Sequence, residues 1–247
     1  MEYRKLIFTY IPDVEEYADV VYLLWDYLGT LYKNGQILKG YDLVKHGSEY
    51  HAFVTVPEND ALEEKYHNHY GIIALAKLEE VFLITSEEMG KNMSCNDSCK
   101  CEQPSGYMLY SDFCLQESPL ICWDCGKSVP LYKLPYIGNE KEHYQVVSWQ
   151  QAYNSVDQLW MNCLSDRFTY HQLTSPQSQL SKEGRDICTE LEKEMGRPVY
   201  YYLYHEHEKM TNCPVCGKPW SESGHKEIVA LKCDACRLAT DESSKWF

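Results

Sequence analysis

Two cysteine pairs near the end of the chain carry the strongest chemistry in the sequence. Cys213-Pro214-Val215-Cys216-Gly217 is followed, after sixteen intervening residues, by Cys233-Asp234-Ala235-Cys236. Each Cys-x-x-Cys turn aims two thiolates at one point, and Gly217 permits the left-handed backbone that turns amides toward sulfur. Four thiolates at tetrahedral distances make a closed zinc site with no position left for water. Zinc held that way is structural, and its binding energy becomes folding energy. A redox pair needs one Cys-x-x-Cys at a helix start, not two at this spacing. The spacing therefore predicts a zinc ribbon over 211–247.

A second candidate is Cys122-Trp123-Asp124-Cys125-Gly126, which repeats the turn of the first ribbon pair. Its partners are open. Cys99 and Cys101 are the preferred ligands, and Cys95 or Cys114 are alternatives, so one or two zinc ions are expected. The competing reading is a half-site whose Cys122 and Cys125 pack as small apolar residues. Cys163 and Cys188 fall on apolar helix stripes and are expected in the core. His205 and His207 share one side of a strand, while His67 and His69 fall in an expected helix, where i,i+2 residues diverge. The sequence holds no phosphate loop, nucleophile elbow or His-Glu-x-x-His. No catalytic residue is assigned, and the chain is expected not to be an enzyme.

The elements around these cysteines begin with alternating strands and helices. Lys5–Ile11 reads as a strand, and Asp13 with Glu16 as a capping box opening a helix that ends near Tyr32. Strands are expected over Tyr41–Lys45, Tyr50–Val56 and Glu80–Thr85. A second capping box, Asp60 with Glu63, would open a helix through Ala74. The order βαββαβ predicts a ferredoxin-like domain over 1–90. Residues 91–137 form a cysteine-rich segment without regular structure, which needs metal to tie it down. Residues 138–210 hold two helices, one capped by Ser148 and Gln151 and one stopped by Gly196 and Pro198. They end in a Tyr-rich strand. The expected class is α+β, with an α/β segment leading into the ribbon.

The chain of 247 residues carries a formal charge of −14. Sixteen acidic against seven basic residues fall in 1–90, and five of each in 211–247. Phosphate binding needs Lys and Arg to displace counterions, and neither end offers a basic stripe. No apolar run approaches the roughly 18 residues of a membrane span, and the N-terminal apolar stretch is too short for a signal peptide. A cytoplasmic protein is expected, in which twelve cysteines point to metal and not to disulfides. Tyrosine is abundant, with 21 against six Trp and six Phe, and suits half-buried sheets and interfaces.

Several stretches resemble a known group. They are Ser118-Pro119-Leu120 before Cys122, Val129-Pro130-Leu131-Tyr132 with Leu134-Pro135, and Pro198-Val199-Tyr200-Tyr201-Tyr202 ahead of Cys213-Pro214-x-Cys216-Gly217 and Trp220. With Cys233-Asp234-x-Cys236-Arg237-Leu238, these resemble an uncharacterised bacterial family described as zinc-ribbon-containing and as a candidate nucleic-acid binder. The resemblance covers roughly 115–240 and departs from the family pattern at Trp123, where that pattern has Gly. It implies metal ligation by Cys213, Cys216, Cys233 and Cys236, with Cys122 and Cys125 as an upstream pair.

Charge and the closed metal site favour a non-catalytic adaptor or inhibitor that binds a protein, for instance an immunity-type protein facing a basic partner. The other reading is a nucleic-acid binder, with Tyr200, Tyr202 and Tyr204 on one strand face as a stacking platform and Arg237 among the phosphate contacts.

Overall fold

The computed structural model describes residues 1–11, 20–205, 211–225 and 227–241. The capping box at Asp13 and Glu16, and His207, lie outside them. The chain is mixed α+β with two sheets and divides into two compact units. The first comprises Met1–Ser98, Gln116–Ser118 and Pro130–Tyr144, and the second the remainder. Residues 91–137 are thus shared between both.

The first unit runs β1 (Glu2–Tyr10), α1 (Val20–Lys33), β2 (Asp42–His46), β3 (Glu49–Val56), α2 (His69–Glu79) and β4 (Phe82–Lys91). Its sheet has the order β2-β3-β1-β4 with every neighbouring pair antiparallel. Alternation along β1 puts Leu6 and Phe8 inward, and Leu24, Leu28 and Leu31 bring one stripe of α1 onto them. Each such fully buried side chain contributes about 1.5–3 kcal/mol.

The helix expected from Asp60 starts later than the pattern implied. A 3₁₀ turn, Glu64–Tyr66, comes first, without a side-chain cap at Glu63, and α2 begins at the true cap Asn68, whose side chain accepts from the Gly71 amide. His67 therefore sits before α2, buried, with Nε2 3.1 Å from the Tyr27 hydroxyl.

His143 in this unit is 1% exposed beside the Tyr136 ring. Burial, against the opposing pull of the Leu131 backbone, pushes its pKa down to about 4. Unfolded histidine titrates near 6.5, so between pH 6.5 and 4 unfolding takes up a proton. Stability from this group is complete above pH 6.5 and falls as pH drops toward 4, by up to about 3 kcal/mol. Thermal melts at pH 7 and pH 5 should show a steeper loss for the native chain than for His143→Phe. Equal losses would mean that His143 does not set this slope.

The second unit contains β5 (Tyr107–Leu109), β6 (Leu120–Cys122), α3 (Tyr144–Met161), α4 (Asp166–Thr174), α5 (Gln179–Met195), β7 (Val199–Tyr202), β8 (Ser221–Glu222), β9 (Leu231–Cys233) and β10 (Leu238–Thr240), with only Tyr144 of α3 falling in the first unit. Its sheet runs β6-β5-β7-β10-β9-β8, with β7 parallel to both β5 and β10. The capping box at Ser148 falls inside α3, which starts at Tyr144. Cys163 lies beyond the end of α3 with φ 54° and is exposed, so it is not a core residue. Cys188 is buried. On α5, Ser178 caps the start by accepting from the Ser181 amide, and Gly196 closes the end at φ 64°.

Sheet register aligns Leu120, Leu109, Tyr201, Leu238 and Cys233 in one row on the face toward α5. Gly184 lets α5 settle onto that row, since a Cβ there would lie 2.3 Å from Tyr201 Cε2 and 2.8 Å from Trp149 Nε1.

Candidate metal centres

The sheet positions both cysteine sets. β6 runs into Cys122 and β9 into Cys233, and by alternation both residues lie on the Tyr201 face. Four strand spacings separate them, about 19 Å. They are two separate centres.

The knuckle at Cys122 and the knuckle at Cys213 share a sequence and a geometry. Both read Cys-x-x-Cys-Gly-Lys. In one, the Cys122 amide donates to Lys127 O at 2.9 Å and the Gly126 amide to Cys122 O at 3.0 Å. In the other, Cys213 donates to Lys218 O at 2.8 Å and Gly217 to Cys213 O at 2.9 Å. Gly126 and Gly217 take φ 68° and 71°, the left-handed conformation that a Cβ strains. In the remaining ribbon knuckle Arg237 takes that place at φ 50°.

Each knuckle faces a second pair. The sulfurs of Cys213, Cys216, Cys233 and Cys236 all lie within 4.8 Å of one another, and so do those of Cys99, Cys101, Cys122 and Cys125. The Cys216 and Cys233 sulfurs are 3.7 Å apart. A tetrahedron with metal–sulfur bonds of about 2.3 Å has edges of about 3.8 Å. The Cys99 amide donates to Ser128 O at 2.8 Å, and the Cys101 amide to Cys99 Sγ at 3.3 Å, which fixes the upstream pair against its knuckle. The alternatives fall elsewhere. Cys95 packs with Met1 and Leu38, and Cys114 lies exposed on a loop outside the cluster.

The thiols of a set cannot all ionise unaided. The Lys218 amide holds Cys216 down to about 7, whereas burial pushes Cys122 up to about 11 and Cys236 up to about 12. Burial also raises Cys233 and Cys99. A dication offsets the mutual repulsion of four thiolates, so two four-cysteine clusters of this kind are compatible with zinc.

Two domain models match the chain. Residues 3–89 match a domain of unknown function (DUF8589) and residues 101–204 another (DUF2310). A Haemophilus influenzae protein described as "Uncharacterized protein" is 30% identical over 201 residues, covering 77% of this chain and 76% of the relative. The chain belongs to its family. A second Haemophilus influenzae protein of the same description is 32% identical over 164 residues, covering 63% of this chain and 80% of its own. None of these descriptions names a ligand or a reaction. The DUF2310 match takes in Cys101, Cys122 and Cys125 and stops before the ribbon cysteines. Trp123, where the resembled pattern has Gly, is 6% exposed and packs on Tyr200 with ring centroids 4.5 Å apart and planes tilted by 31°. In this member it fills the space between a knuckle and the sheet.

The residues expected to meet a partner are mostly engaged within the chain. Tyr200 is 4% exposed, lies under Trp123, and its hydroxyl donates to Asp234 Oδ1 at 2.5 Å. Its ring is not available as a stacking platform. Tyr202 and Tyr204 are half-buried. Arg237 forms a bidentate pair with Glu192, Nε to Oε2 at 2.7 Å and Nη2 to Oε1 at 2.9 Å. That pair holds the Glu192 carboxyl below the usual range. His205 is 8% exposed. A third donor group, His46, Glu49 and His51 on the β2–β3 hairpin, escapes sequence reasoning because its members come from two strands.

Proposed function

We propose that the chain is a non-catalytic zinc protein, with one structural zinc in each four-cysteine set, acting as a protein-binding adaptor or inhibitor in the cytoplasm. The observation that carries the metal reading is the gathering of four sulfurs, twice, within 4.8 Å. A four-thiolate shell leaves no ligand position for water or substrate, which supports the non-catalytic reading. Among the described residues no helix is long and apolar enough to cross a membrane. The charge of −14 favours a basic protein partner, with an immunity-type inhibitor as one form of that role. A ferredoxin-like arrangement of the first unit belongs to the same proposal, supported by the βαββαβ order and by the antiparallel order β2-β3-β1-β4. Against nucleic acid stand the buried Tyr200 and the engagement of Arg237 by Glu192.

Metal analysis of the protein purified without chelator should find two zinc ions per chain, and Cys122→Ser should retain one. A native chain with a single zinc equivalent would sink the second centre, and one without zinc, or with iron in its place, would sink the zinc reading. Capture of partners from the native cell, with and without nuclease, tests the rest. A stoichiometric protein that survives nuclease supports the adaptor, and nucleic acid released by salt would replace it with the alternative.

A further inference from the structure

The second unit contains a cavity of about 730 Å³ with both ends of its chemistry in view. Ligand pockets commonly span about 300–1,000 Å³. Its walls carry six aromatic rings, those of Tyr110, Phe113, Tyr153, Trp160, Tyr202 and Tyr204. Tyr153, Asp157 and Trp160 stand at i, i+4 and i+7 on α3 and so share one helix face. Tyr110 follows β5, and Tyr202 ends β7.

Two carboxylates complete the lining, Asp112 and Asp157. Asp112 is tied down: Oδ1 accepts from the Cys114 amide at 2.7 Å and the Leu115 amide at 2.8 Å, and Oδ2 from the Tyr110 hydroxyl at 2.9 Å. Asp157 is less satisfied. Its Oδ2 accepts from the Phe113 amide at 2.8 Å. Burial, with Asp112 nearby, raises its pKa above the usual carboxylate range. Among the described residues no Lys, Arg or His lines the cavity, and neither aspartate has an ion pair. A half-buried carboxylate without a cation is costly, and here it shares its cavity with six aromatic rings. One kind of ligand suits both: a positive charge attached to an apolar body.

We propose that this cavity binds an organic cation, an ammonium group on an apolar or aromatic body, with the charge beside Asp157 and the body against the Trp160 wall. A phosphate or carboxylate ligand would meet two like charges here. A neutral aromatic ligand would gain burial but nothing from the aspartates. The site is independent of the metal centres as a proposal, although it shares their unit, so zinc content is measured on every variant.

The test uses the full zinc-loaded chain with benzyltrimethylammonium chloride as probe, read by tryptophan fluorescence and calorimetry. Benzyl alcohol and benzoate serve as neutral and anionic controls at the same ionic strength. Saturable binding of the cation is expected below about 10 mM, with benzyl alcohol about tenfold weaker and benzoate not bound. Asp157→Asn still offers an acceptor to the Phe113 amide, so it should keep its melting temperature and zinc while losing about tenfold in cation affinity. Should that variant fold poorly, Trp160→Leu on the half-exposed side of α3 carries the test, with the same direction expected. Equal affinity for benzyl alcohol, an unchanged cation affinity in both variants, or no saturation by the cation would overturn the proposal.

Discussion

Cys216→Ser should release the ribbon zinc, leave the other centre loaded, and unfold the segment from β8 to β10. The expected loss is large because structural zinc supplies about 10–16 kcal/mol of apparent binding energy in small fingers, and a three-thiolate remnant cannot retain most of it. The ribbon has little else to fall back on: β8, β9 and β10 are two or three residues each, and among the described residues its fully buried apolar anchors are Val229, Leu238 and Ala239. The damage should spread one strand further. β10 pairs with β7 through Leu238 opposite Tyr201 and Ala239 opposite Tyr202, so its release exposes one edge of β7. Hydrogen exchange should therefore accelerate over 229–240 and, less strongly, over 199–202. Zinc content should fall by one equivalent of the two that the cysteine sets provide for. A variant that keeps both equivalents and its melting temperature would show that Cys216 is not a ligand.

Tyr201→Ala should cost about 4 kcal/mol, the range for truncating a large buried ring. Tyr201 is 0% exposed, stacks edge-on to Trp149 with ring centroids 6.0 Å apart, and its hydroxyl donates to Ser181 Oγ at 3.3 Å. Its ring is also the surface on which Gly184 rests. The reciprocal change is informative. Gly184→Ala gains roughly 0.5–1 kcal/mol of helix preference but drives a Cβ into that ring, with a net loss of about 2 kcal/mol. In the Tyr201→Ala background the clash with that ring is gone and only the 2.8 Å approach to Trp149 Nε1 remains, so the same Gly184→Ala should cost clearly less. The coupling between the two sites is expected at about 1–3 kcal/mol by denaturant titration. Strict additivity would mean that α5 does not rest on this ring.

The parts of the chain that can be read from residues alone are those whose signal is local. The Cys-x-x-Cys-Gly turns announce themselves because two ligands, the left-handed glycine and the returning amide all fall within six residues. The helix stripe of Leu24, Leu28 and Leu31 is equally local. Cys99 and Cys101 carry a weaker signal, since only the Ser128 carbonyl, far along the chain, fixes them against the knuckle. β5 and β6 are three residues long, and β5 finds its second neighbour in β7, some ninety residues on. Nothing in Tyr107–Leu109 states that partner. α4 follows two residues in left-handed conformation, Cys163 and Ser165, with no side-chain cap, and so lacks the usual start signal. Ser148 with Gln151 mimics such a signal inside a helix that is already under way. Alternation puts Tyr200 on one strand face with Tyr202, but its burial depends on Trp123 from the other knuckle. The aromatic cavity needs β5, α3 and β7 together, three segments that no single stretch of sequence joins.

The strand order of the second sheet also bears on synthesis at the ribosome. β7 is complete once Tyr202 has been added, yet its second neighbour, β10, begins at Leu238. At about 5–20 residues per second the interval is roughly two to seven seconds. Throughout it, a short strand with buried tyrosines offers a bare hydrogen-bonding edge to any other extended chain nearby. On the proposed zinc reading, the ribbon would close that edge only when Cys233 and Cys236 emerge and meet metal. Zinc supply during translation would then set how long the nascent protein stays exposed to misassociation, a kinetic dependence separate from the stability of the finished fold.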